Sequence, residues 1–485
     1  MAMMSLKAGS LSRLLGNWRG TDNTDAAYRL LARALRLLIL DGRVGLGVRF
    51  PGERDLAETL GVSRTTVTAA YGQLRDEDYL LSKRGSGSVT HLPGGRTTAE
   101  IGDSNGAAPI IDWTAAALPA PAGLWPAYEE ALRRLPVWLS GIGYEVLGLP
   151  CLREAIARDY ARRGCPTRPE QIMVTSGAQN GLALVLRAMT GPGDRVAVDH
   201  PTYHNALGAI LRNSCQPVPV ALPETGWDME AWAAALRQTG PRFAYLVPDF
   251  HVPTGRLMDE ASRRELVAVA ARTRTPLLID ETMVETGFAP VVPAPVAALD
   301  PEGDWVISLG SVSKRYWGGL RIGWIRASEQ RITELGRLRA ILDMATPVLE
   351  QLAVTVMLER DDGANERRVI LQAQCERLIV LLGEALPHWR TFMPDGGLSL
   401  WVELPRPEAS ALAAMTQGFG LRIVPGPRFG VDSAFERFVR LSFTLSEPDL
   451  LHAVERLSQA EARLHRGVAH VVGNQLWTVE TDQVV

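Results

Sequence analysis

The chain has 485 residues, 46% of them hydrophobic and 22% charged, with a formal net charge of −3 and a mean hydropathy close to zero. This length exceeds what one hydrophobic core can organise, so two to four structural units are expected. The charge excludes a strongly basic, tail-like nucleic-acid binder. No apolar run approaches the roughly 18–20 residues of a membrane helix, and the N-terminus has no signal-peptide pattern. We therefore expect a cytoplasmic protein without a membrane partner.

The charged and metal-ligating residues are unevenly distributed. Residues 1–95 hold 13 Lys and Arg against 9 Asp and Glu, a balance of +4 that leaves −7 for the rest. This excess fits contact with DNA, although an ordinary surface can show the same. The four cysteines form no CxxC pair and no Cys/His cluster, so neither a metal site nor a disulfide framework is predicted: Cys151, Cys165, Cys215 and Cys375.

The first ninety residues predict four helices and a hairpin. Residues 1–20 suggest a short helix of undefined role, and apolar residues at helical spacing predict another over 26–40. Two more helices are predicted over Glu53–Leu60 and Arg64–Asp76, the latter capped by Ser63. Short strands around Tyr79–Ser82 and Ser88–His91 follow. This order predicts a winged helix-turn-helix over residues 1–92.

In a helix-turn-helix, the helix after the turn, here Arg64–Asp76, reads DNA with short polar and basic side chains at its N-terminal end. Other cations contact the phosphates. The candidate DNA-binding residues lie at that end, on the preceding helix and in the wing: Arg54, Ser63, Arg64, Thr65, Thr66, Lys83 and Arg84. The alternative is a charged helical hairpin that only packs on a larger domain.

Residues 93–109 are rich in Gly, Pro, Thr and Ala and predict a flexible linker. Beyond residue 110 the β-rich runs RVAVDH, FAYLVPDF, PLLIDE and WVISLGS alternate with helical stretches, which predicts a mainly parallel sheet with crossover helices. Residues 331–385 predict one long connecting helix. A smaller α+β unit is expected over about 386–465, after a large part over about 110–385, and residues 466–485 form a tail.

Two motifs could contact a flat, phosphorylated ligand. The turn Ser176-Gly177-Ala178-Gln179 lies between a predicted strand and helix, where backbone N–H groups could bind a phosphate, although small residues open many helices. Tyr203, in His200-Pro201-Thr202-Tyr203, could stack on a pyridine ring or simply belong to the core.

Two charged residues on apolar strands need partners. Asp280 ends PLLID and could pair with a pyridine nitrogen, which would keep that nitrogen protonated, or cap a helix. Arg440, within FVRLSF, requires an anion, either the carboxylate of a substrate or effector or an internal one.

The strongest motif is SVSKRYWGGLR, because it contains the only lysine after Lys83. Lys314 could form a Schiff base with an aldehyde. Ser311, Ser313 and Arg321 could hold a phosphate, since a guanidinium suits bidentate contact.

Both halves resemble one family. FPGERDLAETLGVSRTTVTAAYGQLRDEDYLLSKRGSGSVT resembles the GntR-type winged helix, and the later motifs stand in the order found in fold-type I pyridoxal phosphate enzymes. Over about residues 10–460 the chain resembles the MocR/GabR subfamily of GntR-type transcription regulators. The resemblance implies an N-terminal winged helix-turn-helix followed by an α/β aminotransferase-like domain with a small α+β C-terminal subdomain.

The resemblance also implies ligands and partners. Pyridoxal 5'-phosphate would be bound on Lys314, and the effector would be the cofactor itself or an amino compound. A homodimer would bind double-stranded DNA at an operator with two half-sites. Tyr144 would reach the phosphate in the partner subunit.

Two positions depart from the family pattern. Val252 stands where an Asn is expected to donate to the 3-oxygen of the cofactor, and the segment after Asp280 lacks a tyrosine that many aminotransferases have. These differences argue against efficient transamination and favour a transcription regulator. The alternatives are a working aminotransferase with a secondary winged helix and a regulator that has lost the cofactor.

Overall fold

Apolar spacing and capping residues determine the elements of the N-terminal region. The computed structural model describes residues 5–16, 18–19, 26–40, 44, 48–77, 79–83, 87–91, 110–289, 291, 293–360 and 364–474. Its first elements are α1 (Ala8–Leu15), α2 (Ala27–Leu40), α3 (Glu53–Leu60), α4 (Arg64–Asp76), β1 (Leu80–Lys83) and β2 (Gly87–Thr90). β1 and β2 form an antiparallel hairpin.

The boundaries of α3 and α4 match the prediction because the sequence contains their capping residues. Gly61 ends α3 with a φ of +63°, which a residue without Cβ adopts readily. The Ser63 side chain accepts a hydrogen bond of 3.1 Å from the backbone N–H of Thr66 and so caps α4. Helix α1 also has a clear role, because Leu11 is fully buried in the core shared by the four helices.

A third segment joins the wing and was not predicted. Phe50 N–H donates to the carbonyl of Ser88 at 2.9 Å, and Thr90 N–H donates to that of Val48 at 3.0 Å. This segment escapes prediction because it is three residues long and its pairing is set by distant residues. The predicted linker and Arg84 lie outside the described residues.

The rest of the chain alternates strands and helices. The strands are β3 (Ile111–Asp112), β4 (Ile172–Thr175), β5 (Arg195–His200), β6 (Gln216–Ala221), β7 (Phe243–Leu246), β8 (Leu277–Asp280), β9 (Val306–Ser311), β10 (Gly323–Arg326), β11 (Ser399–Glu403), β12 (Leu421–Arg422), β13 (Val424–Pro425) and β14 (Phe438–Ser442). The helices are α5 (Leu124–Arg134), α6 (Pro150–Arg162), α7 (Ala178–Met189), α8 (His204–Arg212), α9 (Met229–Thr239), α10 (Glu260–Thr273), α11 (Glu329–Leu342), α12 (Val348–Arg360), α13 (Ala364–Ala385), α14 (Ala409–Gln417) and α15 (Glu447–Asn474).

Residue contacts divide the chain into two units, residues 1–109 with 119–126 and residues 110–118 with 127–485. The second unit contains a seven-stranded sheet in the order β4-β10-β9-β8-β7-β5-β6. The expected parallel sheet is correct except at β10, which pairs antiparallel with both β4 and β9. β10 follows β9 after a connection of eleven residues, too short for a parallel crossover with a full helix.

The prediction of one long helix over 331–385 is wrong. The region contains α11, α12 and α13, and Pro347 precedes α12, where its missing N–H and ring are incompatible with a helix interior. In the smaller part, β11, β14 and β13 form an antiparallel sheet, and β12 pairs with β3. Helix α15 runs through Asn474, beyond the expected end of this part at 465.

The sheet gives all its parallel strands a common carboxyl edge. β4, β5, β7, β8 and β9 point the same way, so the residues that follow them gather at one side. Ligands of open α/β sheets bind at this edge. Among the described residues, no helix is both long and apolar enough to cross a membrane.

Close packing against β9 yields a stability prediction. A Cβ at Gly310 would collide with the Trp324 indole on β10, whereas one at Gly208 on α8 would meet nothing within 4 Å. We expect Gly310→Ala to destabilise the fold by about 1–3 kcal/mol and to lower the thermal unfolding midpoint, since overpacking forces rearrangement. Gly208→Ala is the control and should leave the midpoint unchanged or raise it. Equal midpoints for the two variants would contradict this packing.

Candidate functional site

A cavity of about 370 Å³ lies at the carboxyl edge of the sheet. It is lined by residues from separate motifs that the sequence singled out: Ala178, Gln179, Tyr203, Asp280, Ser311, Ser313, Lys314, Arg321 and Arg440. The fold thus brings together side chains up to 262 positions apart, from Ala178 to Arg440.

The amine of Lys314 is largely withdrawn from water. It donates a hydrogen bond of 2.5 Å to the carbonyl of Ala116. Burial and the positive charge of Arg440 together lower the pKa of Lys314 to about 8, against the opposing effect of Asp280. A larger fraction of the amine is therefore neutral near neutral pH, and only the neutral form attacks an aldehyde.

Asp280 ends β8 and is 6% exposed. Its carboxylate accepts hydrogen bonds from Tyr245 Oη at 2.7 Å and from the Thr282 N–H at 2.9 Å. Burial raises its pKa, against these two hydrogen bonds. No cation lies within ion-pair distance of Asp280 in the described part of the chain. The carboxylate could therefore accept a hydrogen bond from a protonated ring nitrogen.

The predicted phosphate-binding residues meet at the start of α7. Gly177 is the N-cap of this helix and has a φ of +88°. A Cβ at this position would collide with the Arg321 guanidinium. Arg321 donates to the Ser176 carbonyl at 3.1 Å. Ser311 Oγ lies 3.0 Å from Ser313 Oγ. Ala178 at the start of α7, the two serines and Arg321 all line the same cavity, and the first N–H groups of a helix favour an anion.

Tyr203 lines the cavity immediately before α8. Its hydroxyl accepts a hydrogen bond of 2.9 Å from the Asn205 amide, which restrains the ring. Burial raises the pKa of Tyr203, so the phenol remains protonated. The position suits a ring that stacks on a flat ligand.

Arg440 is 4% exposed in the middle of β14. One guanidinium nitrogen donates to the Thr114 carbonyl, and Nε is buried without a partner. Burial lowers the pKa of Arg440 to about 10. Among the described residues no carboxylate lies within ion-pair distance of Arg440, although the negative charge of Asp112 acts to raise its pKa. The guanidinium can therefore contact an anion from outside.

Val252 also lines the cavity, and its neighbour does not replace the missing donor. The ring of His251 is turned away: Nδ1 lies 2.9 Å from Thr254 Oγ1, and Nε2 lies 3.7 Å from Asp199. Burial lowers the pKa of His251 to about 3. Position 252 therefore presents an apolar wall to any ligand.

Tyr144 is separate from this cavity within its own chain. It is 57% exposed and is not among the lining residues. A side chain that contacts a ligand in a second subunit is expected to be this exposed when one chain is viewed alone.

In the N-terminal unit, the start of α4 carries the predicted polar surface. Ser63, Arg64 and Thr65 are exposed and Thr66 is partly buried, while the Ser63 hydroxyl lies 2.7 Å from Thr65 Oγ1. Arg54 is exposed on α3. Lys83 lies at the end of β1, and Arg84 lies outside the described residues.

Several functional neighbours were missed from the sequence. Tyr245 fixes the Asp280 carboxylate, Ala116 holds the lysine amine, and His204 and Asn205 lie beside Tyr203. Tyr245 lies on an apolar strand and looks like a core residue. His204 and Asn205 could have been identified from their position directly after Tyr203, at the carboxyl edge of the sheet.

These residues fit pyridoxal phosphate. Lys314 offers an amine to the aldehyde, Asp280 a buried carboxylate to the ring nitrogen, and the start of α7 with Arg321 a cradle for the phosphate. When bound, this cofactor supplies an electron sink for bonds at the carbon that carries the amino group. The protein side chains would position the ring and exclude water around it.

Two family descriptions match the chain. Residues 27–89 match "Bacterial regulatory proteins, gntR family", and residues 144–457 match "Aminotransferase class I and II". The uncharacterized HTH-type transcriptional regulator YdcR of Escherichia coli strain K12 is 30% identical, over 86% of this chain and 94% of the relative. The probable rhizopine catabolism regulatory protein MocR of Rhizobium meliloti is 29% identical, over 82% of this chain and 86% of that protein.

A solved structure supports the fold of the large domain. LysN, the alpha-aminoadipate aminotransferase of Thermus thermophilus, complexed with N-(5'-phosphopyridoxyl)-L-leucine, is similar with a TM-score of 0.68 and 26% identity, over 76% of this chain and 96% of that one. The fold class expected from the sequence is thereby confirmed. The chain belongs to the MocR/GabR subfamily of GntR-type regulators, in which a winged helix-turn-helix precedes an aminotransferase class I and II domain of the pyridoxal-phosphate-binding type.

Proposed function

We propose that this protein is a pyridoxal-phosphate-dependent transcription regulator of the cytoplasm. Residues 1–92 bind double-stranded DNA, residues 93–109 link the two domains, and residues 110–465 bind the cofactor and sense an amino compound or the cofactor itself. DNA occupancy then depends on the ligand state of the pocket.

One observation carries the proposal: a single chain contains an exposed, polar recognition-helix start and a pocket with an amine and an unpaired buried arginine. Arg64 and Thr65 are exposed at the start of α4, where base edges are read. Lys314 and Arg440 line the pocket. A DNA-binding unit has no use for such a pocket unless the pocket controls it.

Each side chain in the pocket has a proposed role. Lys314 holds the cofactor, Asp280 holds its ring nitrogen, and Tyr203 packs on its ring. The phosphate is bound by Gly177, Ala178, Gln179, Ser311, Ser313 and Arg321. Arg440 binds the carboxylate of the effector, since a planar guanidinium suits bidentate contact.

We propose a homodimer that reads two half-sites, because one winged helix covers too little DNA for tight specific binding. Apolar side chains beside Tyr144 support a subunit interface: Val137 is 79% exposed, Leu139 70% and Ile142 85%. Burying this patch against a second copy would place Tyr144 at an interface, from which it could reach the phosphate of the partner subunit.

An active aminotransferase is the second candidate. The pocket supports it, because Lys314, Asp280 and Arg440 are all in place. Val252 argues against efficient turnover, since valine cannot donate a hydrogen bond to the ring oxygen and His251 does not replace that donor. A sensor needs a lasting ligand-bound state more than fast turnover.

The DNA-binding role predicts a specific loss. Arg64→Ala and Thr65→Ala should each weaken binding to a duplex selected by the wild-type chain by about 1–3 kcal/mol, if both touch base edges. The cofactor absorbance should not change, since the pocket is formed by the other unit. Fluorescence anisotropy measures the affinity.

Arg13→Ala is the matched control, since Arg13 is exposed on α1 rather than on the recognition helix. It should cost much less affinity. If both α4 variants bind as tightly as wild type, the assignment of the recognition helix is wrong.

The pKa of Lys314 predicts how cofactor capture depends on pH. Its pKa is lowered from 10.5 to about 8, so the reactive neutral amine forms as the pH rises through 8. The rate at which cofactor-free protein captures pyridoxal phosphate should rise to a plateau above this pH. Borohydride reduction and peptide mapping should place the label on Lys314.

Arg440→Met removes a positive neighbour that lowers the Lys314 pKa, so the midpoint of the pH profile should move upward. A label on Lys7 or Lys83, or a profile that Arg440→Met leaves in place, would contradict this account of the lysine.

A further inference from the structure

A second cavity, of about 570 Å³, adjoins the cofactor pocket. Thr114 and His204 line both cavities. The other walls come from α14 and from the segment after β12, and the lining residues used below are Ser410, Gln417, Arg422 and Arg428. A ligand anchored in the first cavity can therefore extend a side chain into the second.

Two arginines line the second cavity, and one of them has no ion pair with any residue that the structure describes. Arg422 is paired with Asp112 at 2.8 Å. Arg428 is exposed and makes no ion pair with a carboxylate of the described residues. Glu436 accepts hydrogen bonds from the backbone N–H and the hydroxyl of Ser410, at 3.0 and 2.6 Å. The cavity therefore favours an anion.

An aromatic ring connects this cation to the buried arginine of the first cavity. The Arg440 guanidinium lies 5.9 Å from the Phe429 ring centroid, and the His204 ring lies 5.3 Å from the same centroid, edge-on. His204 Nδ1 is buried and has no hydrogen-bond partner in the described residues. Arg440, His204 and Arg428 thus follow one another along the joined cavities.

The electrostatics of His204 agree with this arrangement. Burial, helped by the positive charges of Arg440 and Arg428, lowers the pKa of His204 to about 4. The imidazole is neutral at physiological pH, so it offers a hydrogen bond without adding or cancelling charge. The charge at the far end comes from Arg428.

Of the cations that line the two cavities and have no ion pair in the described residues, one has no assigned ligand group. Under the proposed function, Lys314 holds the cofactor, Arg321 its phosphate, and Arg440 the effector's carboxylate. Arg428 then faces a space with no assigned group. We propose that the second cavity is the side-chain subsite of the effector, and that the effector is an α-amino acid whose side chain carries a second anionic group. This inference rests on the proposed function of the first cavity.

The test uses the full-length, cofactor-loaded protein and isosteric amino acids. L-glutamate and L-glutamine differ in one charge, as do L-aspartate and L-asparagine. Each is titrated while the absorbance of the bound cofactor is followed. We expect at least one acid to bind roughly tenfold more tightly than its amide, as a charge-assisted contact provides.

Arg428→Gln should abolish this preference while changing amide binding by less than about twofold. Arg406→Gln is the matched control, because Arg406 is exposed on the same unit outside the cavity and should keep the preference. Arg428→Glu should reverse the preference towards L-lysine. These results together would support the subsite.

Equal binding of acids and amides, or an acid preference that survives in Arg428→Gln, overturns the subsite while the proposed function stands. If the cofactor is bound but no amino acid of either kind changes its absorbance, the amino-compound sensing and the subsite both fall.

Discussion

The pocket depends on charged side chains that are buried without charged partners. Asp280 and Arg440 are 6% and 4% exposed, and neither has an ion pair within the described parts of the chain. The Lys314 amine between them donates only to a backbone carbonyl. Burying such groups costs stability unless something compensates the charge. A cofactor with a cationic ring nitrogen and an aldehyde would compensate Asp280 and Lys314, and the carboxylate of an effector would compensate Arg440.

Other buried charges near the sheet show that the fold can pair its ions. Arg263 lies 2.6 Å from Asp249, and Arg163 lies 3.4 Å from Glu281. In both pairs the two opposite charges compensate each other within the chain, without need of a ligand. The contrast identifies the unpaired charges as the ones reserved for binding.

The sequence predicted the features that depend on neighbouring residues. Ser63 and Gly61 determine where helices begin and end, so α3 and α4 were predicted to the residue. Asp280 ends β8 and Lys314 follows the end of β9 by three residues, so both lie at the carboxyl edge, where the sheet geometry makes their position informative.

What the sequence did not predict depends on distant partners. The segment at Val48–Phe50 is extended and pairs with the wing through hydrogen bonds to residues about forty positions away. The direction of β10 follows from a short connection and from packing of Trp324 on Gly310. The second cavity joins His204 to residues beyond 410, and no local pattern indicates that they meet.

If the ligand state of the Lys314 pocket controls DNA binding, the affinity of the full chain for its selected duplex must depend on that state. The direct measurement is this affinity in three states: cofactor-free, cofactor-loaded, and cofactor-loaded with L-glutamate. We expect a difference of about fivefold or more between at least two states, as allosteric coupling typically provides, and loss of that difference in Lys314→Ala. Equal affinity in all three states, or an equal difference in Lys314→Ala, would contradict it.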